Sequence, residues 1–187
     1  MSLSRIVIGM NSFRCSEALI GGLFGVQFTR IGYAGDYTEV VEANYNKSII
    51  SLSEILQLFF ENHDYSVVYP KRYASVIYYT EEEQREESEY YMKQYLSGDV
   101  ATELKPLTNY IDAEHMYHKY YLQNTPTMML QLLHEYNWDI RTLNACLSGF
   151  YDTEYVAKIL DSINVPDNIK LECKLRASRA LPQCILL

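Results

Sequence analysis

The feature that most constrains the fold is a regular alternation of strand-like and helix-like segments in the N-terminal half of the chain. Runs of β-branched and aromatic residues predict strands, and apolar residues spaced three or four apart predict helices. The predicted strands span residues 5–10, 24–33, 39–45 and 72–79, and the predicted helices span residues 16–23, 51–63 and 81–97. Alternating elements of this kind pack as one sheet covered by helices, so we predict an α+β fold, a ferredoxin-like α/β sandwich.

The character of the chain changes after Pro126. Before it, residues 103–107 are predicted to add an edge strand, and the tyrosine-rich segment 112–123 is predicted to be helical. Beyond it, short helices are predicted at residues 128–136, 140–147 and 153–163, two of them with an aspartate at the capping position. We therefore divide the chain into a first domain, residues 1–126, and a helical C-terminal extension, residues 127–187.

Composition and charge limit the possible classes of function. With 187 residues, 48% of them hydrophobic, the chain can bury one sizeable core. The net charge of −8 opposes binding to a phosphate backbone, so nucleic acid is not an expected partner. Eighteen tyrosines favour either a ring-lined groove or interface, or an amphipathic surface. The sequence contains no recognisable signal peptide or membrane span, so we expect a cytoplasmic protein.

Cysteines and histidines are the usual ligands of structural metals. The cysteines lie at positions 15, 146, 173 and 184, with no CxxC pair. This scatter predicts neither a zinc site nor a disulfide framework, and Cys146 is interpreted as a core residue. His115 and His118 have a spacing compatible with metal binding, but we interpret them as part of a solvated helix face. No metal and no cofactor are predicted.

The final four residues, Cys184 to Leu187, have the form of a prenylation box. Basic residues lie shortly upstream, at positions 170, 174, 176 and 179. The alternative, which we favour, is an apolar tail that packs on the domain. A membrane is therefore an expected partner only if Cys184 is prenylated.

A series of short strings, in a fixed order and spacing, runs through the first domain. They are Gly9-Met10, Phe13, Glu17-Ala-Leu19, Gly25-Val26, Thr29-Arg30, Gly32-Tyr-Ala-Gly35, Glu61-Asn-His-Asp64, Tyr73-Ala-Ser-Val-Ile77, Thr102-Glu103, Ala113-Glu114 and Asn124-Thr-Pro126. Each string is weak by itself. Together they make residues 1–126 resemble methionine sulfoxide reductase A, which implies that family's α/β sandwich.

The resemblance implies a pocket at the start of the first helix. In the family a Gly-Cys-Phe-Trp motif ends the first strand, and the helix N-terminus lowers the pKa of the cysteine thiol. The thiolate attacks the sulfoxide sulfur, while the phenylalanine and tryptophan cage the substrate methyl group. Here the motif reads Asn11-Ser12-Phe13-Arg14. Ser12 therefore stands at the position of the nucleophile, and Arg14 stands at the position of the cage tryptophan.

The other pocket positions are only partly kept. The resemblance places Glu39 at the position of the general acid, Tyr73 at that of an active-site tyrosine, and Tyr33 in a binding string. The loop before Glu39 is too short to carry the family's second tyrosine, and segment 65–72 lacks its aspartate. The family's recycling tail is replaced by the extension. Cys15 is a relic resolving thiol, a substitute nucleophile or a small buried helix residue, and we favour the last.

These changes predict a reductase-like pseudoenzyme whose pocket binds a protein or peptide, for example one containing methionine. The alternative is an active peptide-methionine (S)-S-oxide reductase that uses Cys15 as its thiol. The candidate catalytic positions are Ser12, Phe13, Cys15, Glu39 and Tyr73, and the candidate binding positions are Arg14 and Tyr33. A Cys15 side chain in the pocket beside Phe13, Glu39 and Tyr73 would favour the enzyme, and one buried behind the helix would favour the pseudoenzyme.

Overall fold

One six-stranded sheet forms the centre of the molecule. The computed structural model describes residues 3–132 and 139–179. The strands are β1 (Leu3–Gly9), β2 (Val26–Ala34), β3 (Thr38–Asn46), β4 (Val76–Tyr79), β5 (Glu103–Pro106) and β6 (Tyr110–Asp112). Their order across the sheet is β5-β4-β1-β3-β2-β6. Neighbouring strands are antiparallel except β4 and β5, which are parallel.

Helices cover the sheet and form the C-terminal region. In the described part of the chain they are α1 (Phe13–Gly21), α2 (Leu52–Glu61), α3 (Glu82–Tyr95), α4 (Tyr120–Gln123), α5 (Pro126–Leu132), α6 (Ile140–Ser148), α7 (Thr153–Asp161) and α8 (Asp167–Ser178). Single 3-10 turns occur at Lys71–Tyr73 and His115–Tyr117. The predicted α+β sandwich with a helical extension is confirmed. No helix among the described residues is long and apolar enough to cross a membrane.

The helix starts follow from capping side chains. Ser51 and Glu54 form a reciprocal capping box at α2, in which the Ser51 hydroxyl accepts from the Glu54 amide and the Glu54 carboxylate accepts from the Ser51 amide. The Ser51 hydrogen bonds also lower the pKa of Glu54. Asp139 and Asp152 accept hydrogen bonds from the first-turn amides of α6 and α7, as predicted.

Side chains alternate between the two faces of the sheet, as the strand period requires. Ile6 and Ile8 of β1 join α1, α2 and α3 in the main core, together with the fully buried Phe59 of α2. Val7 points to the opposite face, where it packs with Val40 and other residues in a smaller cluster. The central strand is thus buried on both faces.

Two sequence predictions of local structure are wrong. Residues 72–75 do not belong to β4, because Arg72 and Tyr73 lie in the 3-10 turn that precedes it. Of the helix predicted over residues 112–123, only α4 forms as an α-helix. Asp112 pairs instead with Gly32 in the edge strand β6, and Lys119 has a left-handed backbone with φ of 49°. Tertiary contacts override helix propensity in this segment.

The helical extension is joined closely to the first domain. Its own core includes Leu143, Leu147 and Val156. At the end of α1, three backbone carbonyls accept hydrogen bonds from extension side chains: Leu19 from Tyr151, Gly21 from Arg141 and Gly22 from Tyr155. A helix end leaves such carbonyls without intrahelical partners. The extension therefore completes α1. The boundary at residue 126 stays a prediction, and the later part of the predicted helix 128–136 lies outside the described residues.

Candidate functional site

Ser12 is the N-cap residue of α1. The preceding Asn11 has a left-handed φ of 57°, which turns the chain sharply from β1 into the helix. Ser12 is extended, with φ of −71° and ψ of 127°, and its carbonyl accepts hydrogen bonds from the amides of Cys15 and Ser16 at 3.1 and 3.2 Å. Its hydroxyl makes no capping hydrogen bond. A half-buried hydroxyl thus stands at the positive end of a helix dipole.

Glu39 lies beside this helix start. It belongs to β3 and is 3% exposed, so it is not the solvated acid that a strand end next to a turn would suggest. One carboxylate oxygen accepts from the Phe13 amide at 3.1 Å, and the other accepts from Arg72 Nε at 2.7 Å. The hydrogen bond to Glu39 raises the pKa of Arg72. The carboxylate therefore joins α1 to the 3-10 turn before β4.

Aromatic rings surround the first turn of α1. The Phe13 ring lies 5.6 Å from that of Tyr33 and 5.7 Å from that of Tyr117, measured between centroids. The Tyr33 hydroxyl donates to Glu114 at 3.1 Å. Partial burial, and then this carboxylate, raise the pKa of Tyr33 to about 12. The hydroxyl of Tyr33 therefore stays protonated and acts as a donor.

Arg14 lies against two further rings. Its guanidinium carbon is 4.8 Å from the centroid of Tyr120 and 5.6 Å from that of Tyr117. Such distances allow attraction between the cation and the ring faces, worth about 0.5–1 kcal/mol at exposed sites. The position that the resemblance assigns to a cage tryptophan is therefore occupied by a cation held on tyrosines.

Tyr73 is connected to Glu39 through its neighbour in the sequence, Arg72. The Arg72 guanidinium lies 5.7 Å from the Tyr73 ring and pairs with Glu39. Tyr73 is half-buried and is carried by the 3-10 turn instead of a strand. Phe13 and Arg72 thus both contact Glu39 at the start of α1, and Tyr73 adjoins this group through Arg72.

Cys15 points elsewhere. Its sulfur lies 3.4 Å from the Tyr121 hydroxyl and borders a cavity of about 30 Å³ whose walls include Asn62 and Phe150. The described residues that line this cavity do not include Phe13, Glu39 or Tyr73. Cys15 is also disulfide-bonded, whereas the sequence predicted no disulfide for the scattered cysteines. The predicted prenylation position, Cys184, lies outside the described residues.

His63, in the string Glu61-Asn-His-Asp64, connects two elements of the fold. His63 Nδ1 lies 2.7 Å from the carbonyl oxygen of Phe59, and its Nε2 lies 2.6 Å from Ser75 Oγ. Burial lowers the pKa of His63. The imidazole therefore joins the end of α2 to the residue that precedes β4.

Sequence reasoning missed several residues of the site. No regular spacing in the sequence marks Arg72 as a site residue, because folding alone brings it to Glu39. Tyr117 and Tyr120 were placed on a helix that does not form as predicted, and Glu114 appeared only as part of a matching string. The described residues contain no group of three or more histidine, cysteine or acidic side chains that could hold a metal ion. His115 is exposed, and His118 Nε2 lies 3.1 Å from the Ala113 carbonyl oxygen.

Comparison with known proteins gives consistent matches. A family model described as peptide methionine sulfoxide reductase matches residues 35–142. The chain is 35% identical over 137 residues to the peptide methionine sulfoxide reductase of Drosophila melanogaster, covering 62% of this chain and 54% of that protein. It is 32% identical over 147 residues to the peptide methionine sulfoxide reductase MsrA of Campylobacter jejuni strain 81-176, covering 66% and 88%. The chain thus spans about half the length of the Drosophila relative.

Solved structures show the same likeness in fold. Methionine sulfoxide reductase A of Corynebacterium diphtheriae superposes with a TM-score of 0.61 at 24% identity, covering 66% of this chain and 76% of that one. Mxr1 from Saccharomyces cerevisiae in reduced form gives a TM-score of 0.59 at 20% identity, covering 66% and 86%.

Proposed function

Since the chain belongs to the peptide methionine sulfoxide reductase family, we propose that it is a pseudoenzyme that binds a protein or peptide at the altered pocket without reducing it. The observation that carries the proposal is the start of α1. A serine, Ser12, stands where the resemblance requires a reactive thiol, and both oxygens of Glu39 already accept hydrogen bonds from the chain itself.

The chemistry of sulfoxide reduction requires sulfur at this position. A hydroxyl has a pKa near that of water, about 15.7, against about 8.5 for a free thiol. Ionising Ser12 therefore costs roughly 10 kcal/mol more than ionising a cysteine. In addition, the enzyme sulfur takes up the substrate oxygen as a sulfenic acid, which a serine oxygen cannot do.

The hydrogen bonds of Glu39 also favour binding over catalysis. A general acid must offer a proton to the sulfoxide oxygen, whereas an ionised carboxylate only accepts hydrogen bonds. Glu39 accepts from the Arg72 guanidinium and from the Phe13 amide. It therefore acts as a structural ion-pair partner that fixes the start of α1.

Arg14 changes what the pocket can recognise. An indole cages a methyl group, but a guanidinium presents up to five N–H donors and cannot enter an apolar cage without a large desolvation cost. Held on Tyr120 and Tyr117, these donors suit the carbonyl or carboxylate oxygens of a peptide. This supports a peptide ligand and argues against a sulfoxide methyl group as the recognised feature.

The alternative function is reduction through Cys15. It requires the Cys15 sulfur to reach a substrate held by Phe13, Glu39 and Tyr73. The described cavity beside Cys15 is small, is lined by other residues and adjoins Tyr121. The geometry therefore favours the pseudoenzyme, and a direct assay distinguishes the two.

We predict that the native protein does not turn over a peptide containing methionine-(S)-sulfoxide, with dithiothreitol as the reductant and chromatographic detection of methionine. Ser12→Cys alone is also expected to be inactive, because Arg14 and the shortened loops remain. Misplacement by about 1 Å costs on the order of 10²-fold, and loss of one polar stabiliser costs about 10²–10³-fold. Ser12→Cys combined with Arg14→Trp is the matched gain-of-function variant. Clear native turnover that Cys15→Ala abolishes would replace the proposal with the alternative.

Binding is tested separately on a peptide array probed with the labelled full chain. We expect the native protein to retain a subset of peptides, and Arg14→Ala to release them. Arg176→Ala is the matched control, because Arg176 pairs with Glu172 on α8. Retention of the same peptides by Arg14→Ala, or no retention by the native protein, would contradict binding at this pocket.

A further inference from the structure

A second concave surface lies between α2 and α3. This α2–α3 groove encloses about 560 Å³, and its walls include Glu54, Gln57, Phe60, Glu61, Tyr91 and Tyr95. Glu54, Gln57 and Glu61 recur at spacings of three and four on α2, so they lie along one side of that helix. Tyr91 and Tyr95 are four apart on α3 and form the facing side. None of the described pocket residues Ser12, Glu39 and Tyr73 borders the groove.

Stacked aromatic rings form the floor of the groove. Phe60 and Tyr91 are nearly parallel, with an interplanar angle of 9° and a centroid distance of 5.7 Å. The Tyr95 ring lies 4.8 Å from that of Tyr91, tilted by 39°, and remains 67% exposed. The buried rings give the floor a fixed shape, and the exposed Tyr95 ring offers a face to a ligand.

The groove is electronegative for several independent reasons. Among its described wall residues are two carboxylates, Glu54 and Glu61, and no Arg, Lys or His. Glu61 is the last residue of α2, whose final turn has no basic residue, so a negative side chain lies at the negative end of the helix dipole. α3 also ends at the groove, at Tyr95; its last turn carries Lys93, which is not among the described wall residues. Burial, and then the charge of Glu61, raise the pKa of Tyr91.

We propose that the α2–α3 groove binds an arginine-bearing segment of a partner protein, with a guanidinium on the exposed face of Tyr95 and paired with Glu61. A guanidinium is planar, stacks on aromatic rings and pairs with carboxylates, so it fits both the floor and the rim. Glu54 and Glu61 are seven residues apart, about 10 Å along the helix. An extended segment with basic residues three apart spans about the same length. The proposal is independent of any activity at the pocket of Ser12.

The test uses the full chain and a short acetylated and amidated peptide in which three arginines are separated by glycine and serine. Its control is the same peptide with citrulline, which keeps the shape of the side chain but carries no charge. We expect calorimetric titration to detect the arginine peptide only, with affinity falling as salt is raised. Glu61→Gln and Tyr95→Leu should each weaken binding by about two- to fivefold.

The matched control variant is Glu86→Gln. Glu86 is exposed on α3 and is not among the described wall residues of the groove, so its replacement removes the same charge without touching the site. Binding should then be unchanged. Equal binding of the citrulline peptide would identify an apolar occupant and overturn the proposal. Equal losses in Glu61→Gln and Glu86→Gln, or no binding of the arginine peptide, would overturn it as well.

Discussion

Replacing Lys119 with methionine should destabilise the protein severely, because Lys119 neutralises a carboxylate in the core. The Lys119 ammonium pairs with Glu17 of α1 and donates to the carbonyl and hydroxyl oxygens of Thr29, at 2.8 and 3.2 Å. The Lys119 amide donates to the other Glu17 oxygen at 2.6 Å. The Glu17 side chain is 1% exposed and that of Lys119 is 13% exposed. One residue thus links α1, β2 and the start of α4.

The size of the expected loss of stability depends on the contacts that remain after the substitution. Methionine fills about the same space as the lysine stem, so little packing is lost. Among the contacts with described residues, the buried Glu17 carboxylate then keeps the hydrogen bond from the backbone amide of residue 119. Removing one partner of a buried ion pair costs about 3–5 kcal/mol. At about 2–4 °C per kcal/mol for a chain of this size, Tm should fall by roughly 6–20 °C.

Urea denaturation followed by circular dichroism measures this loss of unfolding free energy. The second variant combines Lys119→Met with Glu17→Leu, which removes both charges. It should recover much of the loss, because replacing both partners of a buried pair with apolar residues is often close to neutral. A loss below about 1 kcal/mol in Lys119→Met would refute the reasoning. The reasoning would also be refuted if the loss of unfolding free energy in the double variant equalled the sum of the losses in the two single variants. The two residues would then be energetically uncoupled.

Three further outcomes are expected. Gly32→Ala should cost about 1–3 kcal/mol in urea denaturation, because the added Cβ would lie 2.4 Å from the Ile111 carbonyl oxygen of β6; unchanged stability would contradict this contact. The folded-state pKa of His63 lies below 6.5, so its contribution to stability is present above pH 6.5 and is lost as pH falls through the lowered value. His63→Gln should flatten the pH dependence in that window, and an unaltered profile would argue against it. Iodoacetamide mapped by mass spectrometry should label Cys146 and Cys173 only in denaturant, because both thiols are buried and the pKa of Cys146 is raised by Cys173 and by burial; labelling of the native protein would be the contrary result.

Much of the fold follows from local patterns. The β-branched runs predict β1, β2 and β3 to within a few residues, and Ser51 marks the start of α2 because its capping box needs only residues three apart. The aspartates before α6 and α7 act in the same local way. In contrast, β6 has three residues and gains its stability from pairing with β2. A pattern of nearby residues cannot predict such a strand.

The site was predictable only where the matching strings fix it. The motif around Ser12 and the family resemblance at Glu39 place both residues, and the Phe13 amide that follows Ser12 donates to the Glu39 carboxylate. The pairing of Glu39 with Arg72 joins residues 33 positions apart, and Arg14 meets tyrosines more than a hundred positions later. Neither contact corresponds to a regular residue spacing in the sequence. Long-range contacts of this kind depend on the packing of the whole sheet.

The dependence of α1 on the extension sets an order of events during synthesis. The chain leaves the ribosome from its N-terminal side, so β1 and α1 emerge before the extension. The last carbonyls of α1 receive their side-chain donors only after α6 and the first turn of α7 have been made. Until then water supplies the donors that these side chains later provide. A nascent chain stopped before α6 would therefore leave the end of α1 without these donors, and only the extension would supply them.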